Sequence, residues 1–224
     1  MTLGRNAGVL GGLFGALLLG ACGPAETPKV AAPADWERLF DGQTLAGWKQ
    51  SGFDEEGAVR VENPFRDGGG AIVIEAGMAL SGFTFRDGTR LPRSNYEITL
   101  EAMKLAGSDF FCGLTFPVRD TACTFVVGGW GGTVVGLSSV DHLDASENDT
   151  TQGGSFEHNR WYRIRVRVTD GRIEAWIDRE KLVDLATQGR KIGLRFGDVD
   201  QSLPLGIATY QVRAAIRDIR LRRL

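Results

Sequence analysis

The stretch Arg160–Asp178 reads RWYRIRVRVTDGRIEAWID, and its pattern of charged and apolar residues decides the fold class. Apolar side chains recur at every second position on both sides of Asp170-Gly171, a dipeptide typical of the type I′ turn of a β-hairpin. A two-residue turn fixes the register. The predicted pairs are Thr169 with Arg172, Arg167 with Glu174, Arg165 with Trp176, Arg163 with Asp178, Val166 with Ala175, and Ile164 with Ile177. One face of the hairpin is therefore predicted to join a core and the other to carry a charged ladder with a cation–π contact.

The three arginines of this ladder have two interpretations. They could hold a carboxylated or phosphorylated sugar, because guanidinium groups bind such anions. Each arginine already has a cross-strand partner, however, and such pairs are typical of the solvated face of an antiparallel sheet. The pattern therefore favours a structural role.

The same alternation continues along the chain. Residues 96–102 place Tyr96, Ile98, Leu100 and Ala102 on one face. Residues 110–116 and 123–127 are predicted to form a hairpin with its loop at 117–122, and residues 132–140 another strand. The closing segment 215–224 directs Ile216, Ile219 and Leu221 inward. Only residues 35–39 and 180–186 are predicted as short helices or turns, so the fold class is all-β: an antiparallel β-sandwich, a concanavalin-like or lectin-like jelly roll.

The first residues are predicted to lie outside this fold. Arg5 precedes the apolar stretch 7–19, which is short for a membrane span and typical of a signal peptide. The segment Leu19-Gly20-Ala21-Cys22 resembles a bacterial lipobox, in which Cys22 would be lipidated, although an ordinary secretory signal has similar features. We therefore predict a lipoprotein signal peptide at 1–21, a tether at 22–35 and a jelly-roll domain at 36–224. The protein is then exported and anchored by lipid to a bacterial membrane, in the periplasm or at the outer membrane.

The composition limits the classes of partner that the protein is expected to bind. The formal net charge is −2, and no basic stripe is interleaved with aromatic residues, so nucleic acid is not expected. Cys112 and Cys123 lie in neighbouring predicted strands with their side chains on the same side. An exported protein would permit a disulfide between them, and two buried thiols are the alternative.

The densest polar cluster follows the glycine-rich stretch GGWGG at residues 128–132. Its acids are Asp141, Asp144, Glu147 and Asp149, which are oxygen ligands of the type that a divalent cation prefers, although their spacing does not fit an EF-hand. A catalytic rim and a solvated loop are the other interpretations. His142 is the candidate proton shuttle, with an exposed loop histidine as the favoured alternative, whereas His158 is assigned to a turn.

Sugar contacts are expected around the same cluster. Trp130 stands between glycine pairs, where an exposed indole would stack on the apolar face of a sugar, although packing on the sandwich edge is equally compatible. Ser138 and Asn148 are further predicted substrate contacts. Glu97 and Glu101 share one face of a strand at about 13 Å, too far apart for a paired acid and base, so each would act with another strand. Asp109 is predicted as a catalytic acid beside that face.

The opening segment Trp36–Gln50, WERLFDGQTLAGWKQ, resembles the first motif of the 3-keto-disaccharide hydrolase domain family, Leu-Phe-Asp/Asn-Gly-x-x-Leu-x-Gly-Trp. The late hairpin and the closing strand resemble the same family, so the likeness covers nearly the whole predicted domain. It implies an exported concanavalin-like jelly roll that cleaves glycosides carrying a ketone at C3.

The family implies a chemistry that the residues must supply. The ketone acidifies the hydrogen on C2, so a base can start an elimination that expels the group on C1, with a proton donor and a group that polarises the ketone. A metal ion could polarise it, and direct hydrolysis by two carboxylates is the other route. Many relatives carry an acid on the strand that here reads CTFVVGGWGG and has none. The alternative is therefore a non-catalytic glycan-binding or surface-scaffold lipoprotein.

Overall fold

The structure is a computed structural model that describes residues 1, 4, 35–66 and 68–224. The predicted signal peptide, Cys22 and most of the tether lie outside these residues. Among the described residues, no helix has the length and apolar character needed to cross a membrane.

The described chain consists of β-strands joined by turns and two short 3-10 helices. The strands β1 to β15 span, in chain order, Glu37–Arg38, Trp48–Gln50, Val59–Glu62, Ala71–Ile74, Leu80–Phe85, Tyr96–Ala106, Cys112–Val118, Thr121–Gly129, Val134–Ser138, Gln152–Gly153, Trp161–Val168, Arg172–Ile177, Glu180–Ala186, Gly206–Tyr210 and Arg213–Arg223. The 3-10 helices are Gly88–Arg90 and Asp198–Ser202.

The strands form two antiparallel sheets. Sheet A has the order β13-β12-β11-β6-β15-β4-β3, with β1 paired to β15, and sheet B has the order β10-β9-β8-β7-β14-β5-β2. Alternate residues of both sheets meet in one core, in which Tyr96, Ile98 and Leu100 of β6 pack with Leu114 and Phe125 of sheet B. The predicted jelly-roll sandwich is confirmed.

The register of the hairpin β11–β12 is confirmed. Arg167 pairs with Glu174 and Arg165 with Trp176, and Thr169 N donates to Arg172 O at 2.9 Å. The predicted type I′ turn is wrong, because neither Asp170 nor Gly171 has a positive φ. Neighbouring segments set this turn instead.

Hydrogen bonds from neighbouring segments explain the conformation of the Asp170-Gly171 turn. The Asp170 side chain accepts hydrogen bonds from Ser94 and from Asn95 Nδ2, the latter at 3.2 Å, and Arg119 donates to its carbonyl oxygen. The Thr187 N–H donates to the Gly171 carbonyl at 2.9 Å. Tertiary hydrogen bonds therefore override the local preference of the dipeptide.

Two other local predictions are corrected. Residues 180–186 form strand β13 rather than a helix or turn, because Val183 and Leu185 alternate into the core beside β12. Residues 35–39 include the short strand β1, which pairs with the closing strand β15. The loop of the hairpin β7–β8 is shorter than predicted: β7 continues to Val118, β8 begins at Thr121, and the turn is Arg119-Asp120.

The predicted closing segment, residues 215–224, follows its prediction with one irregularity in its pairing with β6. Ile216, Ile219 and Leu221 are buried, as their pattern indicates. A bulge between Arg217 and Arg220 accounts for the three-residue step from Ile216 to Ile219, and Asp218 in this bulge has a φ of 54°.

Candidate functional site

A chain segment crosses the outer face of sheet B and creates a cavity there. Residues 193–205 leave the core beside Ser139, whose N–H donates to the Gly193 carbonyl at 2.7 Å. They contact the sheet again where Thr84 Oγ1 donates to the Gln201 carbonyl at 2.8 Å. A cavity of about 480 Å³ lies between this segment and the sheet.

The floor of the cavity is formed mainly by small residues on the outer face of sheet B, which leave space above the sheet. Register alignment gives one row of hydroxyl residues, Ser138, Thr124 and Thr115, on β9, β8 and β7. The next outward row is Gly136, Val126, Gly113, Ala208 and Gly82. A Cβ at Gly113 would lie 3.1 Å from the Phe110 ring, so a side chain there would displace an aromatic of the cavity wall.

Aromatic side chains form the wall opposite the hydroxyl row. Phe110 and Tyr210 lie with ring centroids 6.1 Å apart, and Phe196 of the crossing segment is fully exposed. Trp130 lines the same cavity and is 40% exposed. The indole of Trp130 is therefore exposed enough to contact a ligand, and its role as a sugar-stacking platform stays a prediction.

Asp109 fixes the turn that presents Trp130. Its Oδ1 accepts from the Phe110 N–H at 2.7 Å and its Oδ2 from the Gly131 N–H at 2.9 Å. The turn also needs glycine at position 132, where φ is 105° and a Cβ would lie 2.5 Å from the Ser108 carbonyl oxygen. Asp109 lines the cavity, as predicted for a site residue, but both of its oxygens already hold backbone N–H groups.

Asp144 does not line the cavity itself, but it is the acid of the predicted cluster that contacts two lining residues. Its Oδ1 accepts from Ser138 Oγ at 3.3 Å, and its Oδ2 lies 3.3 Å from Arg195 Nε. The Arg195 guanidinium lies 5.8 Å from the centre of the Trp130 ring. Ser138, Arg195 and Trp130 all line the cavity, so this arrangement combines a carboxylate, a cation and an aromatic platform.

Two other acids of the cluster, Asp141 and Asp149, bind one arginine. Arg190 donates to Asp141 Oδ2 at 2.7 Å and to both oxygens of Asp149 at 2.8 and 2.9 Å. Hydrogen bonds from the Lys191 N–H and then from Arg190 lower the pKa of Asp141, and the hydrogen bond from Arg190 lowers the pKa of Asp149. The two carboxylates in turn raise the pKa of Arg190. Within residues 35–66 and 68–224, no group of three or more His, Cys, Asp and Glu side chains could hold a metal ion. The cation-site interpretation of this cluster is therefore wrong.

Asn148 is buried and organises the acidic loop. Its Nδ2 donates to the carbonyl oxygens of Leu137, Leu143 and Asp144 at 2.8, 3.1 and 2.7 Å. Its Oδ1 accepts from the N–H and hydroxyl of Thr150 at 2.9 and 2.6 Å. Asn148 therefore positions Asp144 through the backbone and has no spare donor for a substrate.

His142 and Glu147 lie on the exposed side of this loop. Neither side chain lines the cavity or makes a hydrogen bond within the described residues. His142 has a φ of 67° in the tight turn between Val140 and Leu143. Glu147 contacts Asp144 only through its backbone N–H, which donates to the Asp144 carbonyl at 2.9 Å, and the His142 and Glu147 side chains do not hydrogen-bond to the Asp144 carboxylate.

Glu97 and Glu101 are separated from the cavity. Both point outward from β6 in sheet A, the sheet on the other side of the core, so the prediction that Asp109 lies beside their face is wrong. Glu97 is completely buried and accepts from Arg167 Nε at 2.7 Å and from Arg222 Nε at 2.6 Å. Glu101 accepts from Arg217 Nε at 2.8 Å.

The remaining titratable residues have structural environments. His158 Nε2 lies 3.0 Å from the Gly107 carbonyl oxygen in a turn before β11, as predicted. Cys112 and Cys123 are buried free thiols, so the disulfide alternative is wrong. Cys112 pairs with Val127 and Cys123 with Phe116, four positions apart along the ladder, too far for a bond. Burial raises the pKa of both thiols, that of Cys123 to about 12.

The sequence predictions did not include the aromatic and cationic lining residues Phe110, Arg195, Phe196 and Tyr210. Arg195 and Phe196 belong to a segment without strand alternation, and only the fold brings it over sheet B. A neighbouring arginine and aromatic residue before Gly197 is the one local signal that pointed there.

The fold is a lectin-like β-sandwich with a cavity on the outer face of one sheet. The chain belongs to the 3-keto-alpha-glucoside-1,2-lyase-like domain family, whose model matches residues 35–222. This is a carbohydrate-active family, so the function of the chain is related to carbohydrate. No curated protein matches the chain.

Solved structures share the fold at low sequence identity. The Crh5 transglycosylase in complex with NAG has a TM-score of 0.53 and 11% identity, over 86% of this chain and 84% of that one. A structure described with endo-acting O-glycanases of the human gut microbiota has a TM-score of 0.52 and 12% identity, over 86% of this chain and 100% of that one. A Bacillus subtilis protein of unknown function with a galectin-like fold has a TM-score of 0.51 and 10% identity, over 84% of this chain and 98% of that one. These likenesses support the fold alone.

Proposed function

We propose that the chain cleaves 3-keto glycosides by elimination, in the cavity on the outer face of sheet B. The observation that carries this proposal is the Asp144 carboxylate, which contacts Ser138 and Arg195, two residues that line the cavity. Family membership supplies the substrate class.

The chemistry assigns a role to each group. The ketone at C3 acidifies the C2 hydrogen, and the Asp144 carboxylate accepts that proton while the electron pair moves to the ketone oxygen as an enolate. Arg195 stabilises the developing negative charge by donating hydrogen bonds. The enolate then re-forms the ketone and expels the C1 oxygen, which takes the bonding electron pair and the proton from Asp144. The products are an enone and a free hydroxyl compound, and water can add to the enone to give the 3-keto sugar.

The aromatic wall supplies binding. Trp130 offers a flat apolar surface to one face of the sugar ring, because its indole is exposed beside the Arg195–Asp144 pair. Phe110 and Tyr210 also line the cavity and would contact the group attached to C1.

Turnover of a 3-keto-α-glucoside tests the proposal. The full chain should release the free hydroxyl compound and form an enone, which ultraviolet absorbance detects. Asp144→Asn should reduce the rate by about 10²–10⁴-fold, the range typical of a general base. The control is Asp120→Asn, which removes an exposed carboxylate in the β7–β8 turn that makes no hydrogen bond within the described residues.

Two results would contradict this mechanism. One is an absence of turnover both with and without added divalent metal. The other is equal loss of activity in the Asp144 and Asp120 variants, which would indicate that the Asp144 carboxylate has no specific role.

A second candidate function is glycan binding without cleavage. It is favoured by Asp109, the only acid that lines the cavity directly within the described residues, because both of its oxygens are occupied by backbone N–H groups. A binding module would bind a glycan, and Trp130→Ala would abolish that binding. It would convert no 3-keto substrate.

A lipid anchor at Cys22 belongs to the same proposal, on the evidence of the lipobox-like sequence. The wild-type protein should partition with bacterial membranes and incorporate labelled fatty acid. Cys22→Ser should be exported without the label, whereas equal labelling of both proteins would exclude the anchor.

A further inference from the structure

The outer face of sheet A, opposite the cavity, has its carboxylates beneath its cations. Glu97 is completely buried, and the side chains of Glu101 and Glu174 are at most 19% exposed. A carboxylate at such depth satisfies neighbouring cations but contributes little negative surface to solvent.

Six cationic side chains share these three carboxylates within 4.0 Å: Arg163, Arg165, Arg167, Lys181, Arg217 and Arg222. Their side chains are between 24% and 63% exposed. These six residues, here called the basic face, therefore exceed their carboxylates by three positive charges. Asp184 also contacts Lys181 but binds Arg172 as well, so that pair leaves the excess unchanged.

Tryptophan residues hold two of these arginines in place. The Arg165 guanidinium lies 3.9 Å from the centre of the Trp176 ring, and the Arg217 guanidinium lies 4.0 Å from that of Trp161. Stacking limits the freedom of the guanidinium groups, so little entropy is lost when they bind an anion. It also covers the indoles, so the basic face presents few apolar groups to solvent.

We infer that the basic face binds a polyanionic polysaccharide that carries carboxylate or sulfate groups. The cations lie on β13, β11 and β15, every second strand of the sheet and therefore about 10 Å apart, and those of β11 recur at alternate positions about 6.8 Å apart. This spacing suits repeated charges better than one small anion. Guanidinium groups bind carboxylate and sulfate oxygens in a bidentate manner. Membrane binding would need exposed apolar groups beside the cations, and here the indoles are covered.

This inference is independent of the cleavage reaction, because the basic face and the cavity belong to different sheets. The full chain should bind dextran sulfate and polygalacturonate in calorimetry at low salt, with an affinity that falls as salt is added. Neutral dextran should not compete for this binding. Failure of the cleavage assay would leave these results unaffected.

The double variant Arg38→Gln/Arg163→Gln tests the location. Arg163 is the most exposed of the six cations, and Arg38 lies exposed on the same outer face. We expect affinity for dextran sulfate to fall by about tenfold or more, given the contribution of each cation near an anionic surface. The control Lys49→Gln/Lys191→Gln removes the same charge from exposed positions outside sheet A and should retain full affinity.

Arginine-selective modification of the wild-type chain gives a second test that needs no variant. Phenylglyoxal should modify the arginines of β11 and β15 more slowly when polygalacturonate is bound. The inference is overturned by equal loss of affinity in both double variants, by no protection of these arginines, or by absence of binding at low salt. Tighter binding to anionic lipid vesicles or to duplex DNA, at matched charge, would also overturn it.

Discussion

The Asp144 carboxylate lies 3.3 Å from Arg195 Nε, so the loop after β9 meets the segment that crosses sheet B at the polar end of the cavity. Neither residue reaches this position through a strand. Each is held by its own loop, and the ion pair links the two loops directly. The candidate site therefore depends on the packing of the crossing segment as much as on the sheet beneath it.

Arg195→Gln should reduce kcat by about 10²–10³-fold with a smaller change in KM, because the guanidinium is proposed to stabilise charge that develops during the reaction. Arg195→Lys should recover part of the loss, since it keeps the charge but not the planar donor pair. Steady-state kinetics with a 3-keto-α-glucoside measures both. The control Arg179→Gln removes an exposed cation beyond the cavity, and a matching loss there would contradict the assignment.

Trp130→Ala should weaken binding of the unreacted glycoside by about tenfold, the effect expected for one aromatic contact. Trp130→Phe should keep most of the affinity, because a ring still covers the sugar face. Calorimetry on the Asp144→Asn background separates binding from turnover. Unchanged affinity in Trp130→Ala would show that the sugar does not stack there.

The architecture was predictable from sequence because period-two alternation is a local property. The register of Arg167 and Glu174 followed from the length of the hairpin turn, although the predicted turn type was wrong where Ser94 and Arg119 bind Asp170. Residues 180–186 were mistaken for a helix or turn because an edge strand with a charged outer side has weak alternation.

The site was only partly predictable, because it forms where distant segments meet. Trp130 and Asp144 stood out through composition, as an indole between glycines and an acid in a dense cluster. Tyr210 had no such signal and Arg195 had only its aromatic neighbour Phe196, since their importance comes from the crossing segment and from β14. Alternation placed Glu97 on an outer face but could not reveal that arginines from two other strands bury it.

Acid should loosen the loop that contains Asp141 and Asp149. Their pKa values are lowered from 3.8 in the folded protein, so their stabilisation is present above pH 3.8 and is lost as pH falls through the lower folded values. Urea unfolding between pH 2.5 and about pH 6 measures this loss. Arg190→Gln should flatten the acid part of the profile, whereas Arg179→Gln should leave it unchanged. Identical profiles for wild type and Arg190→Gln would contradict the role of Arg190.

Asn148→Ala should damage both the fold and the reaction. It removes five hydrogen bonds of a buried amide and leaves carbonyl oxygens unpaired, which should lower the free energy of unfolding by about 2–3 kcal/mol. Asn63→Ala, at an exposed amide with one bond to the Gly42 carbonyl, should cost about 0.5 kcal/mol. Urea unfolding at neutral pH compares the two.

The kinetic consequence of Asn148→Ala separates positioning from chemistry. Asn148 holds the Asp144 carbonyl rather than its carboxylate, so the variant should lose kcat while keeping the pH dependence that the Asp144 carboxyl gives to turnover. Asp144→Asn should lose that dependence along with the rate. If Asn148→Ala instead shifted the pH profile while the fold stayed intact, the amide would have to act on the reacting groups directly, and its assignment to loop positioning would fail.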